Sequence, residues 1–215
     1  MRECQVHGYF RGDSCPICGE EGKFLMNDAE LERIGRTMAG ALRHFPERMG
    51  LEMDRQGFVD IRALIAAMND RNRRLHWLRP HHIIAIAETD AKGRYQVSND
   101  MVRATYGHTL DLELDLPTDN IPEELYYPST GEEAEILLET GLKPSDRKMV
   151  HLSKTYGDAF SAGSVRTDEP VILSIDTVSA IEDGIVIGRA GRTVYLTDEV
   201  PSKYLGMAEE NEWED

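Results

Sequence analysis

Cysteine is scarce in this chain: three residues among 215, Cys4, Cys15 and Cys18, all within the first 18 positions. Three cysteines cannot close a disulfide framework, so thiols grouped this tightly point to metal. Long apolar runs are missing too. No stretch approaches the ~20 residues needed to cross a bilayer, and the opening MRECQVHGYFRGDSC lacks the apolar core of a signal peptide. A soluble, cytoplasmic protein is expected, with no membrane partner. Neither an internal repeat nor a low-complexity tract is visible.

Positive charge is the other shortage. Against 39 Asp and Glu stand 24 Lys and Arg, a net charge of −15 that at first sight opposes a nucleic-acid partner. The deficit is uneven. Residues 1–110 carry 16 basic and 15 acidic side chains, a balance of +1, whereas residues 111–215 carry 8 and 24, a balance of −16. Arginine dominates the first half, with Arg71, Arg73, Arg74 and Arg79 close together, and planar guanidinium groups suit bidentate phosphate contacts. A solvated helix face explains that cluster equally well. The division of charge predicts two lobes with different tasks, and a chain of this length with 40% apolar residues can fill one or two cores.

Residues 1–26 read as a self-contained knuckle. Cys4-x2-His7 and Cys15-x2-Cys18 form two ligand pairs joined by a short loop, the donor set that tetrahedral Zn²⁺ takes readily. So small a segment has too little core to fold without metal. With all four positions filled by side chains, the zinc is structural, and Tyr9, Phe10 and Arg11 offer a surface for RNA.

A helix follows, capped by Asn27 or Asp28, with Leu31, Ile34, Met38, Ala41, Leu42 and Phe45 on one stripe and Pro46 closing it near His44. GFVDIRALIAAM predicts a short strand or turn and a helix capped by Asp60. RPHHIIAIAETD predicts a third helix from Pro80. Alternation on both sides of Ser98-Asn99-Asp100 predicts a hairpin. Three helices and a hairpin describe a winged-helix lobe. The proline-bearing, polar DLPTDNIPEE (115–124) marks a boundary. Beyond it, EEAEILLETGL is a helix stopped by Gly141. MVHLS, PVILSID, GIVIGRA and TVYLTDEVP are short runs rich in β-branched residues, and AEENEWED is an acidic tail. The expected fold class is α+β, divided as a zinc knuckle (1–26), a winged-helix lobe (27–116) and a small mixed α+β lobe (117–215).

The string LRHFPERMGLEMDRQGFVDIRALI closely resembles the opening motif of the KptA-type RNA 2′-phosphotransferases: L-R-H-x-P-E, then G, L and D, then G-[WF]-V/A-D and a helix. The likeness continues in order. Lys92-Gly93-Arg94-Tyr95 is similar to K-x-R-F, and Val102 to Thr109 to I-R-A-x-Q-G-H-S. Gly141-Leu142 followed by Arg147 to Ser153 is similar to G-L, then R-x-x-V-H-L-S. Pro170 to Leu173 and Val194 to Thr197 match the later P-V-I-L and V-W-L-T. Leu125-Tyr126-Tyr127-Pro128-Ser129-Thr130 stands at the family's L-Y-H-G-T, with Tyr127 in the histidine's place and Pro128 in the glycine's. Tyrosine there can stack on a ring and donate its hydroxyl, whereas proline removes an amide donor. The resemblance covers roughly residues 30–205.

That resemblance implies a winged-helix RNA lobe joined to an ADP-ribosyltransferase-like NAD lobe. It implies attack of an RNA 2′-phosphate on C1″ of the nicotinamide ribose, with loss of nicotinamide. The ribose 2″-hydroxyl then attacks the phosphate, giving 2′-hydroxyl RNA and ADP-ribose 1″,2″-cyclic phosphate. The family's catalytic quartet falls on Arg43, His44, Arg94 and Arg147. Tyr127, Ser129 and Ser153 fall to NAD, and Arg103 and His108 to the RNA. The partners expected are RNA bearing a 2′-phosphate, such as a spliced tRNA, and NAD, with the protein a monomer. Two rival readings are an ADP-ribosyltransferase that caps RNA phosphates without the second step, and a zinc and winged-helix binding protein without turnover. The first predicts an accumulated ADP-ribosylated end, the second binding without nicotinamide release.

Overall fold

The computed structural model describes residues 1–209; positions 210–215, the end of the acidic tail, lie outside the described residues. The fold is mixed α+β, with six α-helices and twelve strands in three sheets among the described residues. The chain divides into two compact units, Met1–Leu114 and Asp115–Asp215.

The first unit opens with a small antiparallel sheet, β1 (Arg2–Cys4), β2 (Gly8–Phe10) and β3 (Lys23–Phe24), with β1 in the middle. Helix α1 (Asp28–Arg43) starts at Asn27, whose side chain accepts the Glu30 N–H while the Glu30 carboxylate accepts that of Asn27. This reciprocal cap satisfies two amides that the helix leaves over. Of its predicted stripe, Ile34, Met38, Ala41 and Leu42 are buried and Leu31 packs against the core, whereas Phe45 lies past the end of the helix and is exposed. Next come β4 (Val59–Asp60), α2 (Ile61–Arg71) capped by the Asp60 carboxylate, and α3 (Pro80–Glu88). The hairpin of β5 (Tyr95–Ser98) and β6 (Met101–Ala104) turns at Asn99, with φ of 54°. That left-handed conformation is one asparagine tolerates better than most residues. Strand β4 adds to β6, giving the order β4-β6-β5. One core cluster joins all of these elements, with Leu42, Leu64, Leu78, Ile83 and Val102 essentially inaccessible.

The second unit is a six-stranded antiparallel sheet with helices packed on it. In chain order it has β7 (Glu124–Ser129), α4 (Gly131–Thr140), β8 (Val150–Ser153), α5 (Tyr156–Gly163), β9 (Val171–Asp176), α6 (Thr177–Glu182), β10 (Gly188–Arg189), β11 (Val194–Thr197) and β12 (Leu205–Met207). The strand order is β10-β11-β8-β7-β9-β12. Leu125, Leu152, Leu173, Ile175 and Tyr195 fill its core. The helix stop at Gly141 has a second cause besides its φ of 83°. A Cβ there would lie 2.5 Å from the Val200 carbonyl oxygen, across the bridge that joins Leu142 to Val200.

The second unit differs from the sequence reading in several elements, among them the unassigned α6, β7 and β12. GIVIGRA forms a strand only over Gly188–Arg189, and KTYGDAFSAG, unassigned by pattern, forms α5. Thr155 caps α5 through the Asp158 N–H, and Gly163 lets it settle on the sheet. A Cβ at Gly163 would fall 2.6 Å from Pro170 Cβ and 2.9 Å from Pro128 Cβ.

Candidate active site

Arg43 and His44 end α1, and a strap from the far side of the hairpin fixes both. Segment 105–109 begins beside Arg94, where the Thr105 N–H donates to the Arg94 carbonyl (3.0 Å) and the Thr105 hydroxyl to that of Gly93 (2.7 Å). It ends at α1, where the Thr109 N–H donates to the Arg43 carbonyl (3.1 Å) and Thr109 Oγ1 lies 3.2 Å from His44 Nδ1. Between these anchors the Tyr106 ring sits under the Arg43 guanidinium, 5.0 Å from its centroid. Gly107 passes so close that a Cβ would stand 3.3 Å from Arg43 Cζ, with φ at 83°. Glycine meets both demands at that position. Burial pushes the Tyr106 and Tyr95 phenols up, and the charges of Arg43 and Arg94 oppose that rise in both. Two guanidinium groups from distant stretches of chain thus act on the same pair of rings. His44 is exposed, and Arg43 and Arg94 are half-buried. A hollow of about 530 Å³ beside His44 is lined also by Arg36, Arg48 and Arg71.

Arg94 is held from beneath by Asp90, a carboxylate only 1% exposed. Asp90 accepts the Arg94 backbone N–H at 2.6 Å, its Nε at 3.0 and 3.1 Å, and its Nη2 at 2.6 Å. A bidentate grip of this kind fixes the plane of the guanidinium as well as its position. Burial raises the Asp90 pKa, but the hydrogen bonds from Arg94 and the charges of Arg94 and Arg11 outweigh it, so the carboxyl lies below its ordinary value.

Arg11 reaches Asp90 from the knuckle. Its Nη2 lies 3.9 Å from Asp90 Oδ1, and its Nε donates to the Thr89 hydroxyl at 3.1 Å. Phe10 is buried against Cys4 and Cys15, and Tyr9 packs on the core of the first unit. The expected RNA-facing surface is therefore corrected for Phe10, which is buried, while Tyr9 is half-buried and Arg11 exposed. A segment with almost no core of its own spends these side chains on docking.

Cys4, His7, Cys15 and Cys18 do converge, with all four ligand atoms within 4.8 Å of one another. Cys4 Sγ is 3.7 Å from Cys18 Sγ and 3.5 Å from His7 Nδ1, which is 3.6 Å from Cys15 Sγ. A tetrahedron with metal–sulfur bonds of about 2.3 Å and metal–nitrogen bonds of about 2.0 Å has edges of about 3.8 and 3.5 Å. The cluster has the size of a metal cage. Backbone N–H groups of Val6 and His7 lower the Cys4 thiol pKa, and those of Cys18 and Ile17 lower that of Cys15, favouring the thiolate that a metal needs.

In the second unit the sheet opens a notch. Strand β7 pairs with β9 over its whole length, Glu124 opposite Asp176 through Ser129 opposite Val171, but with β8 at one position only, Tyr126 opposite Ser153. Pro128 lies where β8 no longer runs alongside, so its missing N–H has one strand fewer to serve. Tyr127 is half-buried at this notch. Burial raises its phenol pKa, the charges of Arg166 and Arg147 oppose this, and Glu133 and Asp146 add to it. Arg147 itself is exposed, in the irregular segment 143–149. Ser129 donates its hydroxyl to the Val171 carbonyl (3.0 Å), and Ser153 is buried at the single β7–β8 pair.

With this geometry in place, comparison with known proteins becomes informative. The family described as "RNA 2'-phosphotransferase, Tpt1 / KptA family" matches residues 29–199. The chain belongs to this family. It is 43% identical over 213 residues to a "Probable RNA 2'-phosphotransferase" of Thermoplasma volcanium, covering 99% of this chain and 89% of the relative. A protein of the same name from Thermoplasma acidophilum is 44% identical with the same coverage. One from Methanosarcina mazei is 40% identical over 210 residues, 98% of this chain and all of the relative.

Within this RNA 2′-phosphotransferase, the motifs around Arg43-His44, Arg94 and 102–109 meet in the first unit, and those around Tyr127, Arg147 and Ser153 lie in the second. Arg103 is 5% exposed. Its Nε donates to Gln96 Oε1 (2.8 Å), its Nη1 to the Gln56 carbonyl (3.1 Å), and its guanidinium lies over the Phe58 ring. His108 is likewise buried. The sequence reading missed Asp90, Tyr106, Gly107 and Thr109 as parts of the site. Asp90 had a local signal, an acid four residues before Arg94, and Tyr106, Gly107 and Thr109 stood inside the 102–109 motif, but their roles depend on the path of the strap.

Proposed function

We propose that the protein removes a 2′-phosphate from RNA by passing it to NAD, giving 2′-hydroxyl RNA, nicotinamide and ADP-ribose 1″,2″-cyclic phosphate. The observation that carries this reading is the strapping of Arg43, His44 and the Asp90-held Arg94 around one pair of tyrosines. NAD, when bound, supplies an electrophilic ribose carbon and nicotinamide as its leaving group. The chain's own residues have the task of holding phosphate. A phosphate monoester is already anionic, so the first step needs alignment rather than a strong base. The second step concentrates negative charge on five-coordinate phosphorus, and pre-aimed guanidinium groups stabilise it without reorganising.

Arg43 and Arg147 are assigned to the phosphate and Arg94 to phosphate or pyrophosphate. His44, its ring oriented by Thr109, is assigned to a phosphate oxygen or the ribose 2″-hydroxyl. Tyr127, Ser129 and Ser153 are assigned to NAD, at the stretch where β7 and β8 share a single paired position. Arg103 and His108 support the RNA side. Cys4, His7, Cys15 and Cys18 hold a structural Zn²⁺, a reading supported by the tetrahedral edge lengths. The first 26 residues are then the knuckle, 27–116 a winged-helix RNA lobe, and 117–215 an ADP-ribosyltransferase-like lobe. Three helices followed by a three-stranded wing favour the one assignment, and the split antiparallel sheet favours the other. A cytoplasmic, monomeric protein goes with this reading.

The test is incubation of a short 2′-phosphorylated RNA with and without NAD, followed by mass analysis of both products. Loss of the RNA phosphate only with NAD, and an equal yield of the cyclic phosphate, is the expected result. An ADP-ribosylated RNA that accumulates would replace this proposal with end capping. Arg147→Ala should abolish phosphate release at unchanged melting temperature; normal turnover would remove that residue from the quartet.

A further inference from the structure

The second unit has few cations, and where they stand is informative. Among residues 111–215, eight Lys and Arg face 24 Asp and Glu. Arg166 and Lys203 are each spent on a carboxylate, Glu133 and Asp183. Three others, Lys154, Arg189 and Arg192, line one cavity of about 520 Å³. Among the described residues, none of these three has a carboxylate partner. In so acidic a lobe, three cations without carboxylate partners on one cavity are the arrangement that holds an anion.

The rest of the lining narrows the ligand. Ile121 and Pro122 add aliphatic surface to the charges, over the buried Tyr195. The volume falls within the roughly 300–1,000 Å³ of pockets that take small organic ligands. A nucleotide unit, with a flat base, a ribose and a phosphate, has the matching chemistry. The cavity and the residues Tyr127 to Ser129 lie on opposite sides of the single β7–β8 pair, Tyr126 with Ser153. Lys154 directly follows Ser153 at that pair and Arg189, Gly191 and Arg192 lie in and beside the β10–β11 turn, whereas Tyr127 to Ser129 continue β7 beyond the pair in the other direction.

We infer that the cavity lined by Lys154, Arg189 and Arg192 is a second phosphate site, one that binds a nucleotide of the RNA strand away from the reacting 2′-phosphate. This rests on the RNA-directed reading above and deepens it. It makes the enzyme hold a longer strand more tightly than a 2′-phosphorylated dinucleotide, which has fewer phosphates to offer the cavity.

The test uses the full chain and its Arg189→Ala/Arg192→Ala double variant. Binding of a fluorescent 2′-phosphorylated oligonucleotide is followed by anisotropy over a range of salt, and the KM for NAD is measured in parallel. The double variant should bind the oligonucleotide roughly tenfold more weakly. Its plot of log affinity against log salt should be shallower by about 1.4, two phosphate contacts at about 0.7 each for a single strand. A 2′-phosphorylated dinucleotide should show neither change. Unaltered oligonucleotide affinity and salt slope would overturn the inference. So would a raised KM for NAD with RNA binding unmoved, which assigns the cavity to the dinucleotide's pyrophosphate. Because binding is read without turnover, failure of phosphate removal in the earlier experiment would leave this result intact.

Discussion

Asp90→Asn isolates the contribution of one buried carboxylate to an arginine assigned to catalysis. Asp90 gives Arg94 four short contacts and is itself 1% exposed, while the Arg94 side chain is 40% exposed. Removing one partner of a fully buried pair costs about 3–5 kcal/mol. Solvent around Arg94 screens part of this, so about 2 kcal/mol is expected. For a chain of this size that is a fall of roughly 4–8 °C in melting temperature. The turnover effect should be larger than stability alone explains. The asparagine amide presents an N–H to one of the guanidinium N–H groups, so the bidentate grip is lost and the Arg94 fork turns. A misplacement of about 1 Å at a reacting centre costs on the order of a hundredfold.

The assays are thermal unfolding by circular dichroism and NAD-dependent phosphate release at a temperature well below both transitions. Acid stability gives a second signature. Because the folded pKa of Asp90 is depressed, its contribution is complete above the ordinary aspartate pKa and is lost as pH falls through the folded value. The variant should lack that acid limb. Wild-type turnover in the variant would refute the role given to Asp90, whatever its melting temperature.

Gly107→Ala forces a side chain into the left-handed region and a Cβ to within 3.3 Å of the Arg43 guanidinium; phosphate release should fall at least tenfold, with a stability loss of about 1–2 kcal/mol by denaturant titration. His82 accepts the Arg79 N–H at Nδ1 (3.0 Å), and burial, with the nearby charge of His81, holds its pKa down at about 4. Its folded value lies below the unfolded one of about 6.5, so stability should be full above pH 6.5 and decline as pH falls towards 4. His82→Gln should flatten the unfolding midpoint across that window; an unchanged pH profile would show that His82 does not drive it. Prolonged chelation should remove one metal ion per chain by elemental analysis and lower the melting temperature of the first unit, and Cys15→Ser should do the same. Full stability in metal-free protein would refute a structural metal.

The parts of this fold that were legible in the sequence are those set by neighbours along the chain. Asn27 with Glu30, Asp60 before α2, Pro80 at the head of α3 and Asn99 in the hairpin each satisfy or preset a backbone within a few residues. Their elements stand where pattern placed them. The cysteine and histidine pairs were legible for the same reason, since ligand spacing is a local constraint. Helix α5 was missed because its apolar residues make a short stripe, and the feature that seats it, Gly163 between Pro128 and Pro170, exists only after folding. The neighbours of Arg11 were hidden on similar grounds. An arginine beside two aromatics looks like a nucleic-acid surface, and nothing in the string says that Thr89 and Asp90 lie next to it.

The acidity of the second unit, which first seemed to oppose an RNA substrate, has a physical use in this reading. RNA carries a phosphate at every nucleotide, so a generally basic surface binds any strand anywhere and holds the 2′-phosphate no better than its neighbours. A surface with a balance of −16 over 105 residues repels the strand except where cations are gathered without carboxylate partners. Recognition then depends on a few fixed guanidinium groups rather than on a diffuse field. Net charge decides how strongly RNA is held in general, and the arrangement of arginines decides where. That is why the overall balance of −15 was a poor guide to the partner, while the order of the arginine motifs was a good one.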